Sequence, residues 1–167
     1  WAAMPIAGMA RCRTFSLDYR MPPDHPFPAA IDDGVAAWHR LISRFKPENL
    51  AIYGLSAGGN LAPALILKLR DLGLPLPAVC AVHSPAADLT EAGDSFQTNQ
   101  VIDTVLKEPM PKLMTLYAGG HDYRDPLLSP VFADYAKGFP PTILTTGTRD
   151  LLLSSTVMLH RAMRRGG

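Results

Sequence analysis

Seven residues, Gly54-Leu55-Ser56-Ala57-Gly58-Gly59-Asn60, constrain this chain more than any others. They follow the short apolar run at 50–53 (LAIY), which reads as a buried central strand. They open a helical pattern that continues to about Leu72, with Pro63 expected to kink it. A strand that turns into a helix within so few residues needs small neighbours at the corner, and the glycines supply them. The serine at the apex then has a strained backbone and an exposed hydroxyl. The helix N-terminus behind it offers free N–H groups and a positive dipole end to a developing oxyanion. The G-x-S-x-G pattern in this context points to Ser56 as a nucleophile, with the Ala57 backbone N–H as oxyanion-hole donor. The alternative is a small-residue turn with an idle serine, against which the Gly59-Asn60 extension weighs.

The order along the chain reads strand, helix, strand, helix, strand, irregular segment, strand, helix, which implies an α/β layer fold with a mainly parallel sheet. Residues 13–19 (RTFSLDY) read as a first strand, before a proline-rich turn and a helix with Ile31, Val35, Trp38, Ile42 and Phe45 on its buried stripe. Residues 78–83 (AVCAVH) and 142–146 (TILTT) read as later strands, and 154–165 as the last helix. The stretch 88–125 has weak periodicity and reads as a helical insertion over the sheet's edge. With 167 residues, 47% hydrophobic and 19% charged, the chain is a globular domain or a large piece of one. The balance of 16 Lys+Arg against 15 Asp+Glu supplies no basic field for nucleic acid and no polybasic membrane patch. The uncharged stretch 49–67 contains three glycines, Ser56, Asn60 and Pro63, which argues against an integral membrane segment. Cys12 and Cys80 both read as buried free thiols.

A serine becomes a nucleophile when a histidine takes its proton and an acid orients that histidine. In a fold of this kind the order is Ser, then Asp or Glu, then His. Asp150 follows the 142–146 strand and is the expected acid, with capping of the next helix as its alternative role and Asp88 as the competing carboxylate. Of the five histidines only His160 follows Asp150; it sits mid-helix on a solvated face and is expected to be a surface residue. His121, Asp122 and Asp125 could suggest a metal, but on an irregular stretch they read as solvated side chains.

Together with other short motifs, the elbow resembles the hormone-sensitive-lipase-like esterases of the α/β-hydrolase superfamily. The residues carrying the resemblance are Asp18-Tyr19-Arg20, the 23–30 run PDHPFPAA with Asp32-Asp33, the 54–61 run GLSAGGNL, Ser84-Pro85 with Asp88-Leu89, Asp125-Pro126 with Ser129-Pro130, Pro140-Pro141, and Gly147 with Asp150. The resemblance implies a partial α/β-hydrolase fold in which 1–167 is the central part of one domain and 88–125 a cap-like insertion. It implies a serine carboxylic-ester hydrolase that works through an acyl-enzyme, with Ser56 as nucleophile and Asp150 as acid. It also implies a small or medium acyl ester as substrate and no cofactor or metal. The family's Gly-rich oxyanion loop would lie before Trp1 and its catalytic histidine after Gly167, so the 167 residues alone are expected to be inactive. The remaining alternatives are a peptidase or amidase on the same fold, and a non-catalytic relic or binding module. A cytoplasmic location is the expectation for compartment, and oligomeric state stays open.

Overall fold

The computed structural model describes residues 3–107 and 109–167. Three parallel strands form its sheet: β1 (Ala51–Leu55), β2 (Val79–His83) and β3 (Thr142–Thr145), hydrogen-bonded in that order. Parallel neighbours need crossovers, and the chain supplies them. Helix α3 (Ala57–Asp71) links β1 to β2, and a long connection with two short helices, α4 (Ser95–Thr98) and α5 (Pro111–Ala118), links β2 to β3. Helix α1 (Ala3–Ala10) opens the described chain, α2 (Ala29–Ile42) precedes the sheet and α6 (Leu153–Gly166) follows it.

The core is organised around α3, which continues unbroken through a buried Pro63. One of its faces places Ala62 and Ile66 on Cys80 and Val82 of β2, with Ile52 and Leu144 of the flanking strands against them. A second places Ala64 with Ile31 of α2, Phe27, Leu89, Ala118 and Leu128. A third places Leu67 with Leu159 of α6 and Tyr135. Surrounded on three sides, α3 is apolar almost all round, as a central helix must be. Trp38 of α2 is buried and donates its indole N–H to Pro75 O at 2.9 Å. Burial pushes the Cys80 thiol up to about 12, so it is an inert packing group.

Two expectations are corrected. Cys12 is exposed, on a stretch, 11–18, that is exposed throughout; only Cys80 is buried. Residues 13–19 form no strand, and Phe15 and Leu17 are exposed. Their β-branched and aromatic composition suits a pleat, but a strand exists only through pairing, and among the described residues β1 pairs with β2 alone. The segment is instead held by single contacts. Phe15 packs on Phe45 at 5.9 Å between ring centroids, and Arg20 makes a forked contact with Asp33 of α2, with Nη2 to Oδ1 at 2.8 Å. Hydrogen bonds from the Arg20 side chain hold the Asp33 carboxyl below its usual range. The connection that holds the proposed insertion is anchored at one point by the proline-rich turn, where Phe27 N–H donates to Tyr117 O of α5 at 2.8 Å.

Strand alternation turns Cys80, Val82 and Leu144 toward α3 and exposes Tyr53, Leu55, His83, Ile143 and Thr145 on the other face. No helix among the described residues is long and apolar enough to cross a membrane. An apolar sheet face of this kind, with Ile143 60% exposed, marks the 167 residues as prone to association when produced alone. The expected outcome is binding of a hydrophobic dye together with concentration-dependent association in light scattering. A soluble monomer that binds no dye and melts cooperatively would contradict it.

Candidate active site

At the carboxyl end of β1 the chain reverses within one residue. Ser56 has φ 56° and ψ −115°, in the left-handed half of backbone space, a conformation that costs a non-glycine residue roughly 1–3 kcal/mol. Neighbours hold it there. Ser56 N–H donates to His83 O of β2 at 3.0 Å, and Ser56 O accepts from Asn60 N–H at 3.1 Å and from Ala86 N–H at 3.2 Å. The tightness of the turn explains two glycines. A Cβ on Gly54 would lie 1.9 Å from Gly58 O, and one on Gly59 would lie 2.9 Å from Pro85 Cα. Gly58 is different, since a Cβ there meets nothing within 4 Å. Ala57 is the first residue of α3, and helix geometry leaves its N–H without an intrahelical acceptor. Asn60, 3% exposed, braces the turn by donating from Nδ2 to Ala86 O and Leu128 O, each at 2.7 Å.

Asp150 stands in the turn between β3 and α6. Its Oδ2 accepts from Thr146 Oγ1 at 2.8 Å and its Oδ1 from Leu152 N–H at 2.8 Å. Each oxygen keeps a lone pair for a further donor. The bond to Leu152 N–H is a local turn contact at the entrance to α6, so the capping alternative describes part of what this side chain does. Ser154 and Ser155 serve elsewhere: Ser155 Oγ donates to Pro85 O at 2.9 Å and accepts from Ala87 N–H at 2.8 Å, which ties α6 to the segment after β2.

Ser56 and Asp150 line one open cleft of about 710 Å³ at the carboxyl ends of the strands, where parallel sheets gather their chemistry. Asp88 is not part of it. That carboxylate is 3% exposed and accepts from Thr90 N–H, Thr90 Oγ1 and Ala92 N–H. Its acceptor capacity closes its own turn. His160 is exposed on α6 and does not line the cleft. His121 packs edge-on against Phe27, with centroids 4.9 Å apart, while Asp122 and Asp125 accept from the backbone N–H groups of Arg124 and Leu127. No group of three or more potential metal ligands occurs among the described residues.

Two cleft residues had no signal in the sequence. His83 ends β2 beside Leu55 in register, and its Nδ1 lies 2.7 Å from Thr145 Oγ1 on β3. It reads as an ordinary strand residue until the register places it at the sheet's carboxyl edge. Asp103 comes from the β2–β3 connection. Burial alone would raise its pKa, but backbone N–H donors from Leu151, Val105 and Leu106 outweigh that and hold the carboxyl below its usual range.

Known proteins share the fold of this chain. A family model described as alpha/beta hydrolase fold matches residues 3–167. An acetyl-hydrolase of Streptomyces hygroscopicus is 36% identical over 97% of this chain and 54% of its own length. An esterase of Acinetobacter venetianus is 33% identical over 90% of this chain and 50% of its own. A crystal structure of an esterase from the bacterial hormone-sensitive lipase family superposes with a TM-score of 0.92 at 40% identity, covering 97% of this chain and 55% of that one. The chain thus spans about half the length of the curated relatives it matches.

The two glycines of the motif should separate in a stability measurement. Gly54→Ala forces a Cβ into the Gly58 carbonyl and is expected to cost about 2–3 kcal/mol in urea denaturation. Gly58→Ala adds a methyl to open space within a helix and is expected to be neutral or to stabilise by up to about 1 kcal/mol. Equal losses at both positions would show that the steric reading of the turn is wrong.

Proposed function

The chain belongs to the alpha/beta hydrolase fold family, and we propose that it carries the nucleophile and the acid of a serine carboxylic-ester hydrolase. The observation that supports this most directly is Ser56 held at positive φ between β1 and α3, on a cleft that it shares with Asp150. Backbone strain of this kind persists where the surroundings over-determine it, and at a strand-to-helix corner it exposes a hydroxyl above the sheet.

In this reading Ser56 Oγ attacks the ester carbonyl. The proton leaves Oγ for an imidazole, and the carbonyl oxygen takes up negative charge in front of the α3 N-terminus, with the Ala57 N–H as donor. Collapse of the tetrahedral adduct expels the alcohol, protonated by the imidazolium, and leaves an acyl-enzyme. Water activated by the same imidazole then releases the acid. Asp150 accepts the other ring N–H and fixes the tautomer; the bonds from Thr146 and Leu152 hold its carboxylate still for that role. The reading takes the imidazole and the Gly-rich half of the oxyanion hole from sequence beyond these 167 residues, in keeping with the greater length of the relatives. The substrate is a small ester, and the cleft's apolar rim of Leu55, Ile102, Val105 and Leu106 suits its acyl or alcohol group.

Hydrolysis of a short-chain aryl ester by the complete gene product that contains this chain provides the test. Ser56→Ala is expected to lower kcat by about 10⁴-fold or more, with Asp150→Asn lowering it by a comparable order. His160→Ala, on an exposed helix face, is expected to leave kcat/KM within about a few-fold. Turnover that survives Ser56→Ala, or a several-hundred-fold loss in His160→Ala, would overturn the assignment.

A further inference from the structure

The loop that carries Asp150 is held by a segment that lies far from it in sequence. Asn99 follows α4, is 7% exposed, and donates from Nδ2 to Asp150 O at 2.8 Å and to Thr148 O at 3.4 Å. Asp103 accepts the Leu151 N–H on Oδ2 at 2.7 Å, while its Oδ1 accepts from Val105 N–H at 2.7 Å and Leu106 N–H at 3.0 Å. Asp103 N–H donates to Asn99 O at 2.9 Å, so the two residues act as one unit. Their targets, the Asp150 carbonyl and the Leu151 N–H, belong to the same peptide group. That plane is gripped on its oxygen by Asn99, beside a longer local bond from Leu153 N–H at 3.2 Å, and on its nitrogen by Asp103. On the other side of the residue, Asp150 N–H donates to Gly147 O at 3.1 Å. Both soft dihedrals of Asp150 are thereby fixed, and with them the direction in which its Cβ leaves the backbone.

Apolar packing already anchors the loop. Leu151 and Leu152 are buried with Phe96, and Ser95 Oγ both donates to Leu151 O at 2.7 Å and accepts from Ser154 N–H at 2.9 Å. Packing of this kind fixes where the loop lies. It does not fix the rotation of one peptide plane, which the paired polar contacts do.

We propose that Asn99 and Asp103 are positioning residues that set the peptide plane after Asp150 and so aim its carboxylate across the cleft. The proposal rests on the reading of Asp150 as the triad acid. It makes the β2–β3 connection a working part of the site, since that connection supplies both gripping residues.

The test uses two nearly isosteric variants of the complete gene product. Asp103→Leu keeps the size of the side chain and removes both acceptors, so the Leu151, Val105 and Leu106 N–H groups all lose their partner. Asn99→Asp replaces the donor facing Asp150 O with an acceptor. Amide hydrogen exchange reads the grip without reference to activity. Exchange at Leu151 is expected to quicken at least about tenfold in Asp103→Leu, while Thr90 and Ala92, tied to Asp88, stay unchanged. Aryl-ester kinetics read the consequence: kcat is expected to fall roughly 10- to 100-fold in either variant with KM within about twofold, the pattern of a misaimed group. Asp103→Glu, which keeps the carboxylate, should recover part of the loss. Unchanged exchange at Leu151, or unchanged kcat in both variants, overturns the proposal. So does a loss of kcat that comes with uniformly faster exchange across the sheet, which marks a merely structural role. Full activity in Asp150→Asn overturns the acid assignment and the catalytic consequence with it, whereas exchange at Leu151 still decides whether the grip exists.

Discussion

The close approach of backbones at the β1–α3 corner is the constraint on which the rest depends. Gly54 and Gly59 let the corner close against Gly58 O and Pro85, and Ser56 is stitched to the end of β2 through its N–H and again through its carbonyl. These contacts fix where α3 begins and therefore which of its faces meets Cys80 and Val82. They also fix the chain's exit from β2, because Ala86 N–H and Ala86 O are both used within the corner, the latter by Asn60. A residue in an unfavourable conformation is thus held by three backbone hydrogen bonds. Neighbouring bonds hold a hydroxyl in place for which its own backbone has no preference.

The two carboxylates that follow β2 and β3 show how environment sorts residues of one type. Asp88 and Asp150 both sit just beyond a strand end and both accept from backbone N–H groups. Asp88 is enclosed, and its bonds close a local turn. Asp150 opens on a large cleft and keeps unused acceptor capacity. The difference is one of access: Asp88 is buried within the connection after β2, whereas Asp150 lines the cleft.

Much of this was legible in the sequence, unevenly so. The strand-glycine-serine-helix pattern around residue 56 is local, and its physics is local, so reading it needed no tertiary information. The apolar run of β2 and the β-branched residues around Leu144 in β3 were equally plain, because such residues suit a pleated, half-buried surface. The 13–19 stretch was misread because its residues suit a strand, whereas a strand is defined by its partner. Cys12 misled because thiols are usually buried, whereas this one lies between Arg11 and Arg13 and stays exposed. Asn99 and Asp103 left no trace, since they sit in a stretch without periodicity and act through hydrogen bonds to backbone atoms of residues 148–151, 48 to 51 residues away. His83 became visible only once register set it beside Leu55 and Thr145.

That register has a consequence for how such a chain can vary in length. Leu55, His83 and Thr145 stand level across the three strands, so the segments that follow start from one line. Strand geometry is discrete: each residue advances the chain by about 3.3 Å and reverses the face to which its side chain points. Insertions and deletions between β2 and β3 can be absorbed wherever both strand ends return to that line. A single-residue change inside β3 cannot, because it would move the following turn by a full step and exchange Leu144 for a neighbour on the α3 face. Length variation among chains of this architecture is therefore expected to collect in the long connection and to stop abruptly at the borders of β3.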